Sequence, residues 1–231
     1  MSIALITIII IAANVIFSLK GFQDPVFFNR YKFQTGAVLN GKQYDRILSS
    51  GFLHVDYTHL IFNMLTLYFF ANVVIQFFAA PSYFVYGSTG VFNMTTGYIM
   101  FAVVFLAAVI GGNLLALFFQ KNNPHYSAVG ASGGVSGVLF AAIVIAPVQL
   151  EIYGFIPGWL FAMLYLGYSV YGMQKQLGNI GHEAHLGGAI IGLIAPILFY
   201  PEIFTVNKIY ILGMLVPIAV LLVLAIQSAK K

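Results

Sequence analysis

Apolar residues run through this chain in long blocks separated by short polar interruptions, and the blocks are too long and too uniform for one face of a soluble helix. A membrane-spanning helix needs about 20 mostly apolar residues to cross roughly 30 Å of hydrocarbon. Seven segments approach that length: 2–19, 58–79, 98–119, 131–147, 152–171, 183–200 and 208–226. Strict alternation of apolar and polar positions is absent, and lipid does not tolerate open sheet edges. The pattern therefore predicts an all-α, polytopic membrane helical bundle. The first block carries no Lys or Arg ahead of it and is longer than a usual signal-peptide core, so it is read as a retained span.

One connection differs from the rest. Residues 20–57 hold Lys20, Arg30, Lys32, Lys42 and Arg46 among Phe22, Phe27, Phe28, Tyr31, Phe33, Tyr44 and Phe52. Cations mixed with aromatics favour the headgroup layer, which predicts a structured lip there. No internal repeat, low-complexity tract or linker divides the chain, so residues 1–231 read as one domain.

Composition narrows the chemistry. Apolar residues make up 61% and charged residues 7%, with a mean hydropathy of +0.94, whereas ordinary soluble domains are roughly one quarter charged. A water-soluble globule is excluded. Ten Lys and Arg against six Asp and Glu give +4, too thin a surplus for nucleic-acid binding by phosphate neutralisation. The absence of Cys removes disulfides, thiolate nucleophiles and cysteine-ligated metals. Ser, His, Asn, Asp, Glu and Tyr are left to do any chemistry.

Polar groups inside spans are costly and face partners or a cavity. In the second segment His59 and Asn63 share a face at i, i+4, with His54 and Asp56 just before them. The fourth opens with Gly130, Ala131, Ser132, Gly133, Gly134, Val135, Ser136 and Gly137, and the sixth with Gly181, His182, Glu183, Ala184, His185, Leu186, Gly187 and Gly188. Helices of equal parity start on the same side of a membrane. His59, Ser132 and His185 each fall near such a start, so they lie at similar shallow depth and can meet. Small residues at four-residue intervals (Gly133, Gly137 and Ala141; Ala184, Gly188 and Gly192) let the fourth and sixth helices pack closely.

These residues carry a family resemblance. The stretch from Arg46 through His54 and His59 to Asn63 is similar to the His-x4-His-x3-Asn element of rhomboid intramembrane serine proteases, with its preceding Arg. Gly130, Ala131, Ser132 and Gly133 match the Gly-x-Ser-Gly nucleophile motif, and Ala184, His185, Gly188 and Gly192 match the Ala-His-x-x-Gly-x-x-x-Gly element. The three elements stand in order on the second, fourth and sixth helices. The resemblance covers the chain to about residue 200 and implies a six-helix core (1–200), with the segment at 208–226 as an appended seventh helix. It further implies an intramembrane serine endopeptidase without cofactor or metal, acting on transmembrane protein substrates within the bilayer of, in this reading, a bacterial inner membrane.

The chemistry is readable from the residues as well. A serine hydroxyl is a poor nucleophile until a base takes its proton, and neutral His is the natural base. Ser132 is expected as nucleophile and His185 as base, in a dyad, since Glu183 lies two residues from His185 and points to another face. His59 and Asn63, with the Ser132 backbone N–H, are the expected oxyanion donors. The resemblance further implies that His54, Gly130 and Gly133 stand in support. Ser136, in a second Gly-x-Ser-Gly one turn deeper, is the alternative nucleophile, and His182 the alternative base.

Two rival functions use the same sequence. A catalytically inactive rhomboid-like protein would bind transmembrane segments, though loss of Ser132 or His185 would be its signature. A metal-dependent membrane protein would recruit His54, His59, His182 and His185, but His182-Glu183-Ala184-His185 is one residue short of the zincin spacing. The chain also departs from the family pattern. Relatives often carry an aromatic four residues after the nucleophile, packed on the catalytic imidazole, where this chain has Ser136. Ile75 and Gln76 stand where an acidic residue is common, and Tyr44 and Asp45 where a Trp precedes the Arg in some members. Basic residues cluster on the side of the 20–57 loop, which by charge counting would face the cytoplasm; the resemblance implies the opposite orientation.

Overall fold

The computed structural model describes residues 4–88, 91–152, 154–175 and 181–228, and is predominantly helical. In chain order the helices are α1 (Leu5–Gln23), α2 (Pro25–Tyr31), α3 (Thr35–Leu39), α4 (Arg46–Ser49), α5 (Tyr57–Ala79), α6 (Pro81–Tyr86), α7 (Met94–Gln120), α8 (Ser132–Ile145), α9 (Gly158–Lys175), α10 (His182–Phe199) and α11 (Glu202–Ser228). Two-residue strands β1 (Phe33–Gln34) and β2 (Ser127–Ala128) pair antiparallel, as do β3 (Glu151–Ile152) and β4 (Ile156–Pro157). All seven expected spans have a helix. Residues 2 and 3 of the first expected segment lie outside the described residues.

Among the described residues, α1, α5, α7 and α10 are long and apolar enough to cross a membrane. The chain is a multi-pass membrane protein with a helical-bundle fold. Helix α8 stands at the centre, packed between α5, α7 and α10, and every residue from Gly133 to Ile145 is buried. Its 14 residues make it only about 21 Å long at 1.5 Å per residue. Such a short helix ends with orphaned carbonyls in an apolar setting. Asn207 supplies the missing donor from a non-helical kink in α11: its Nδ2 donates to the carbonyls of Val144 at 2.8 Å and Ile145 at 3.3 Å.

The α8–α10 contact is the tightest in the bundle. A Cβ built on Gly188 would run into the carbonyl of Gly133, and one on Gly192 into that of Gly137, so the small-residue stripes read from the sequence bring the two backbones together.

Where sequence and structure differ, local chemistry explains it. The fifth expected segment begins at 152, but α9 begins at Gly158 because the β3–β4 hairpin turns through Gly154 at φ +74°, and Pro157 disfavours helix in the residue before it. The fourth ends at Ile145, two residues short of expectation, because Ala146 precedes Pro147 and is pushed out of the helical region. The first runs on to Gln23, where Asp24 stops it and caps α2 by accepting from the N–H groups of Val26 and Phe27.

The 20–57 connection is ordered by its own polar groups. Arg46, only 6% exposed, donates to the carbonyls of Asn29 (2.9 Å) and Lys32 (2.7 Å) through Nη1 and to Gln43 Oε1 (2.6 Å) through Nε. Arg30 pairs with Asp45 at 2.7 Å. The strand β1 then ties this folded segment to β2, four residues before Ser132.

Candidate active site

Three helix starts converge on one cavity. Asp56 caps α5 by accepting from the His59 N–H at 2.7 Å, which places the His59 ring in the first turn. Ser132 is the first residue of α8, so its backbone N–H has no intrahelical acceptor. His185 lies in the first turn of α10, its own N–H donating to the Gly181 carbonyl at 3.1 Å. His185 Nε2 and Ser132 Oγ are 2.7 Å apart, within hydrogen-bond distance.

Around this pair the small residues have a geometric reason. Gly130 takes φ +137°, a region L side chains rarely enter, and a Cβ there would crowd the His59 ring at 2.7–3.0 Å and approach Ser132 Oγ at 3.4 Å. Its N–H donates to the Ser50 carbonyl at 3.0 Å, and Asn113 on α7 holds that turn by donating to Ile47 O and Ser50 Oγ. Gly133 meets the Ala184 carbonyl at the α8–α10 contact.

His54 is fully buried and joins α1 to the loop before Ser132. Ser18 Oγ lies 3.1 Å from the Phe52 carbonyl, to which it donates, and 2.8 Å from His54 Nδ1. Because the single hydroxyl proton goes to the carbonyl, Nδ1 must carry the other proton and donate to Ser18. Nε2 is then bare and accepts from the Ala131 N–H at 3.4 Å. Burial, reinforced by the neighbouring His59 and only partly offset by Asp56, pushes the His54 pKa down to about 3, which keeps this neutral tautomer in place.

Asn63 spends one amide proton on the His59 carbonyl, at 2.9 Å, and lines the cavity with His59, Ser132 and His185. His59 Nδ1 is buried with no hydrogen-bond partner among the described residues. A bare nitrogen there costs less than a stranded N–H, which puts the ring proton on Nε2, the atom nearer Gly130.

The alternatives are arranged differently. Ser136 Oγ is bonded to the Tyr165 hydroxyl at 2.6 Å. The His182 ring lies edge-on to Tyr168 (5.4 Å between centroids) and to His185 (6.4 Å). Glu183 is turned away from His185, accepting from Gln120 Nε2 at 2.7 Å and facing Tyr126 at 3.5 Å; burial and this carboxylate push the Tyr126 phenol pKa up. Among the described residues no three His, Asp or Glu side chains converge as a metal-binding group. Sequence reading missed Ser18, Asn113 and Tyr165, all of which reach the site from other helices without a motif of their own.

The cavity measures about 1520 Å³. Asn123, Tyr126 and Glu183 line its polar part, while Phe62, Thr66 and Phe69 of α5 and Phe161 and Met173 of α9 line an apolar part. Phe62 and Phe69 are also among the most exposed apolar side chains, so the cavity borders the surface that faces lipid.

A helical membrane protein with a serine–histidine contact at the convergence of its second, fourth and sixth long helices is the class this arrangement defines. Residues 41–202 match the family model described as the Rhomboid domain, and the chain belongs to the rhomboid family. It is 23% identical to RHOMBOID-like protein 12, mitochondrial, of Arabidopsis thaliana, over 81% of this chain and 56% of that protein. It is 28% identical to Rhomboid-like protein 14, mitochondrial, of the same plant, over 82% and 54%. With Rhomboid protein 1, mitochondrial, of Saccharomyces cerevisiae it shares 24% identity over 64% and 40%. The chain thus spans about half the length of these relatives.

Proposed function

We propose that this chain is an intramembrane serine endopeptidase that hydrolyses peptide bonds in or near transmembrane segments of other proteins. The observation that carries the reading is the 2.7 Å contact between Ser132 Oγ and His185 Nε2, inside a cavity that borders the lipid-facing surface. In the reaction, Ser132 Oγ attacks the scissile carbonyl carbon while its proton passes to His185 Nε2. The oxyanion accepts from the Ser132 N–H, from His59 Nε2–H and from the free amide proton of Asn63. His185 then returns the proton to the leaving amine, and water attacks the acyl-enzyme by the reverse sequence of transfers. Loss of one oxyanion donor typically costs about 10²- to 10³-fold in rate.

The substrates are membrane proteins with small or helix-destabilising residues near the cut, because an intact helix keeps its carbonyls hydrogen-bonded. The apolar part of the cavity, between α5 and α9, suits the entry of such a segment from the side. The domain reading accompanies this proposal: one rhomboid unit at 1–200 with an appended helix at 208–226. The bacterial inner membrane expected from the sequence finds no support in the relatives, three of which are mitochondrial by name.

The deciding experiment is labelling of the detergent-solubilised protein with a serine-directed fluorophosphonate, located by mass spectrometry, beside cleavage of a reporter membrane substrate. Label on Ser132, with cleavage abolished in both Ser132→Ala and His185→Ala, is the expected result. Label on Ser136, or cleavage that survives Ser132→Ala, overturns the assignment.

A further inference from the structure

The His185 imidazole has no carboxylate to orient it among the described residues, since Glu183 is committed to Gln120 and Tyr126. Something else must fix its two side-chain torsions, because a base that swings away from Ser132 cannot take its proton. The ring that stacks on it is Tyr165, on α9, while His182 of its own helix meets it only edge-on. The Tyr165 and His185 planes are inclined by only 28°, with centroids 6.0 Å apart, an offset stack. Tyr165 is itself held from three directions. Its hydroxyl lies 2.6 Å from Ser136 Oγ on α8, and its ring packs on Phe140 of α8 (5.5 Å) and on Phe161 of α9 (5.9 Å).

We infer that Tyr165 is a positioning residue for His185 and that Ser136, one turn below Ser132, serves to anchor it. The hydroxymethyl group at 136 is too small to reach the imidazole, so the flat surface comes from another helix and the serine is left to secure that ring by its hydroxyl. This explains why a buried serine, 3% exposed, sits one turn into a helix that beyond Ser132 is otherwise apolar and glycine-rich: it is the partner of a half-buried tyrosine hydroxyl. It also gives α9, which otherwise packs mainly on α10 and α11, a direct contact with the base.

The inference rests on the protease reading, and the test separates the two. Wild-type protein that neither cleaves a reporter membrane substrate nor takes fluorophosphonate on Ser132 overturns that reading and this proposal with it. With wild-type activity in hand, Tyr165→Leu is expected to lower kcat by about 10- to 100-fold, the scale of an ångström-sized misplacement, with KM changed less than twofold and fluorophosphonate labelling slowed in parallel. Tyr165→Phe keeps the stack and loses only the anchor, so it should stay within about fivefold of wild type and thereby rescue most of the Leu defect. Tyr165→Leu turning over at the wild-type rate, or losing activity wholly through KM, overturns the proposal. Should Tyr165→Leu fail to fold, the cycle of Ser136→Ala and Tyr165→Phe decides. Both remove the same hydrogen bond, so the double variant should be no slower than the worse single one, and multiplicative losses would overturn the anchoring role.

Discussion

Replacing Gly188 by alanine tests how far the Ser132–His185 contact depends on backbone packing. The new Cβ would collide with the Gly133 carbonyl, a backbone atom that cannot rotate aside. Relief to an ordinary contact of about 3.5 Å moves α10 away from α8 by about an ångström or more. Gly133 adjoins Ser132 and Gly188 lies one turn past His185, so the displacement transfers directly to the 2.7 Å contact and takes it beyond hydrogen-bond range. A shift of that size typically costs about 10²-fold in rate. Alanine gains about 1 kcal/mol in helix propensity, while overpacking costs about 1–3 kcal/mol, so stability should fall slightly while activity falls steeply. Cleavage of a reporter substrate in proteoliposomes, with denaturation in mixed micelles alongside, measures both. Gly167→Ala on α9 is the control, because nothing lies within 4 Å of its added Cβ. Gly188→Ala cleaving within twofold of wild type would refute the reasoning.

Three further outcomes follow from other contacts. Asn207→Leu strips the donor from the Val144 and Ile145 carbonyls; unfolding in mixed micelles should show a loss of about 1–3 kcal/mol. Arg46→Lys cannot span the Asn29 and Lys32 carbonyls and Gln43 together, so limited trypsin digestion after Arg30 or Lys32 should accelerate severalfold. For His54, burial depresses the pKa from 6.5 to about 3, so the unfolded chain binds more protons in that window and stability rises with pH. The contribution is complete above pH 6.5 and drains away as pH falls toward 3, since a protonated His54 can no longer accept from Ala131. His54→Asn, compared with wild type in micelle unfolding between pH 7 and 5, should show a flatter dependence.

Much of this molecule is legible in its sequence, for physical reasons that also mark the limits. Apolar length alone announces all seven long helices, because lipid forces backbone hydrogen bonds to close within each one. Parity places His59, Ser132 and His185 at one depth, and glycine spacing brings α8 against α10; both arguments need only helix geometry. The folded loop is harder. Its helices α2, α3 and α4 are too short for periodicity to register, and they are held by Arg46 reaching carbonyls distant in sequence. The β1–β2 pair and the Asn207 cap join segments that no local pattern connects. Tyr165 is the clearest case. Phe161, Tyr165 and Tyr168 look alike along α9, and only the rotation of that helix decides which ring meets His185.

The enclosure of α8 bears on how the bilayer acts on this protein. With residues 133–145 buried among α5, α7 and α10, the helix that carries Ser132 feels membrane thickness and lateral pressure chiefly through its neighbours. Thinner or thicker lipids would act first on peripheral helices such as α1, while the central one keeps its register against α10. The Ser132 hydroxyl is thereby cushioned from the mechanical noise of the bilayer, a steadiness that a side chain on a lipid-washed helix would lack.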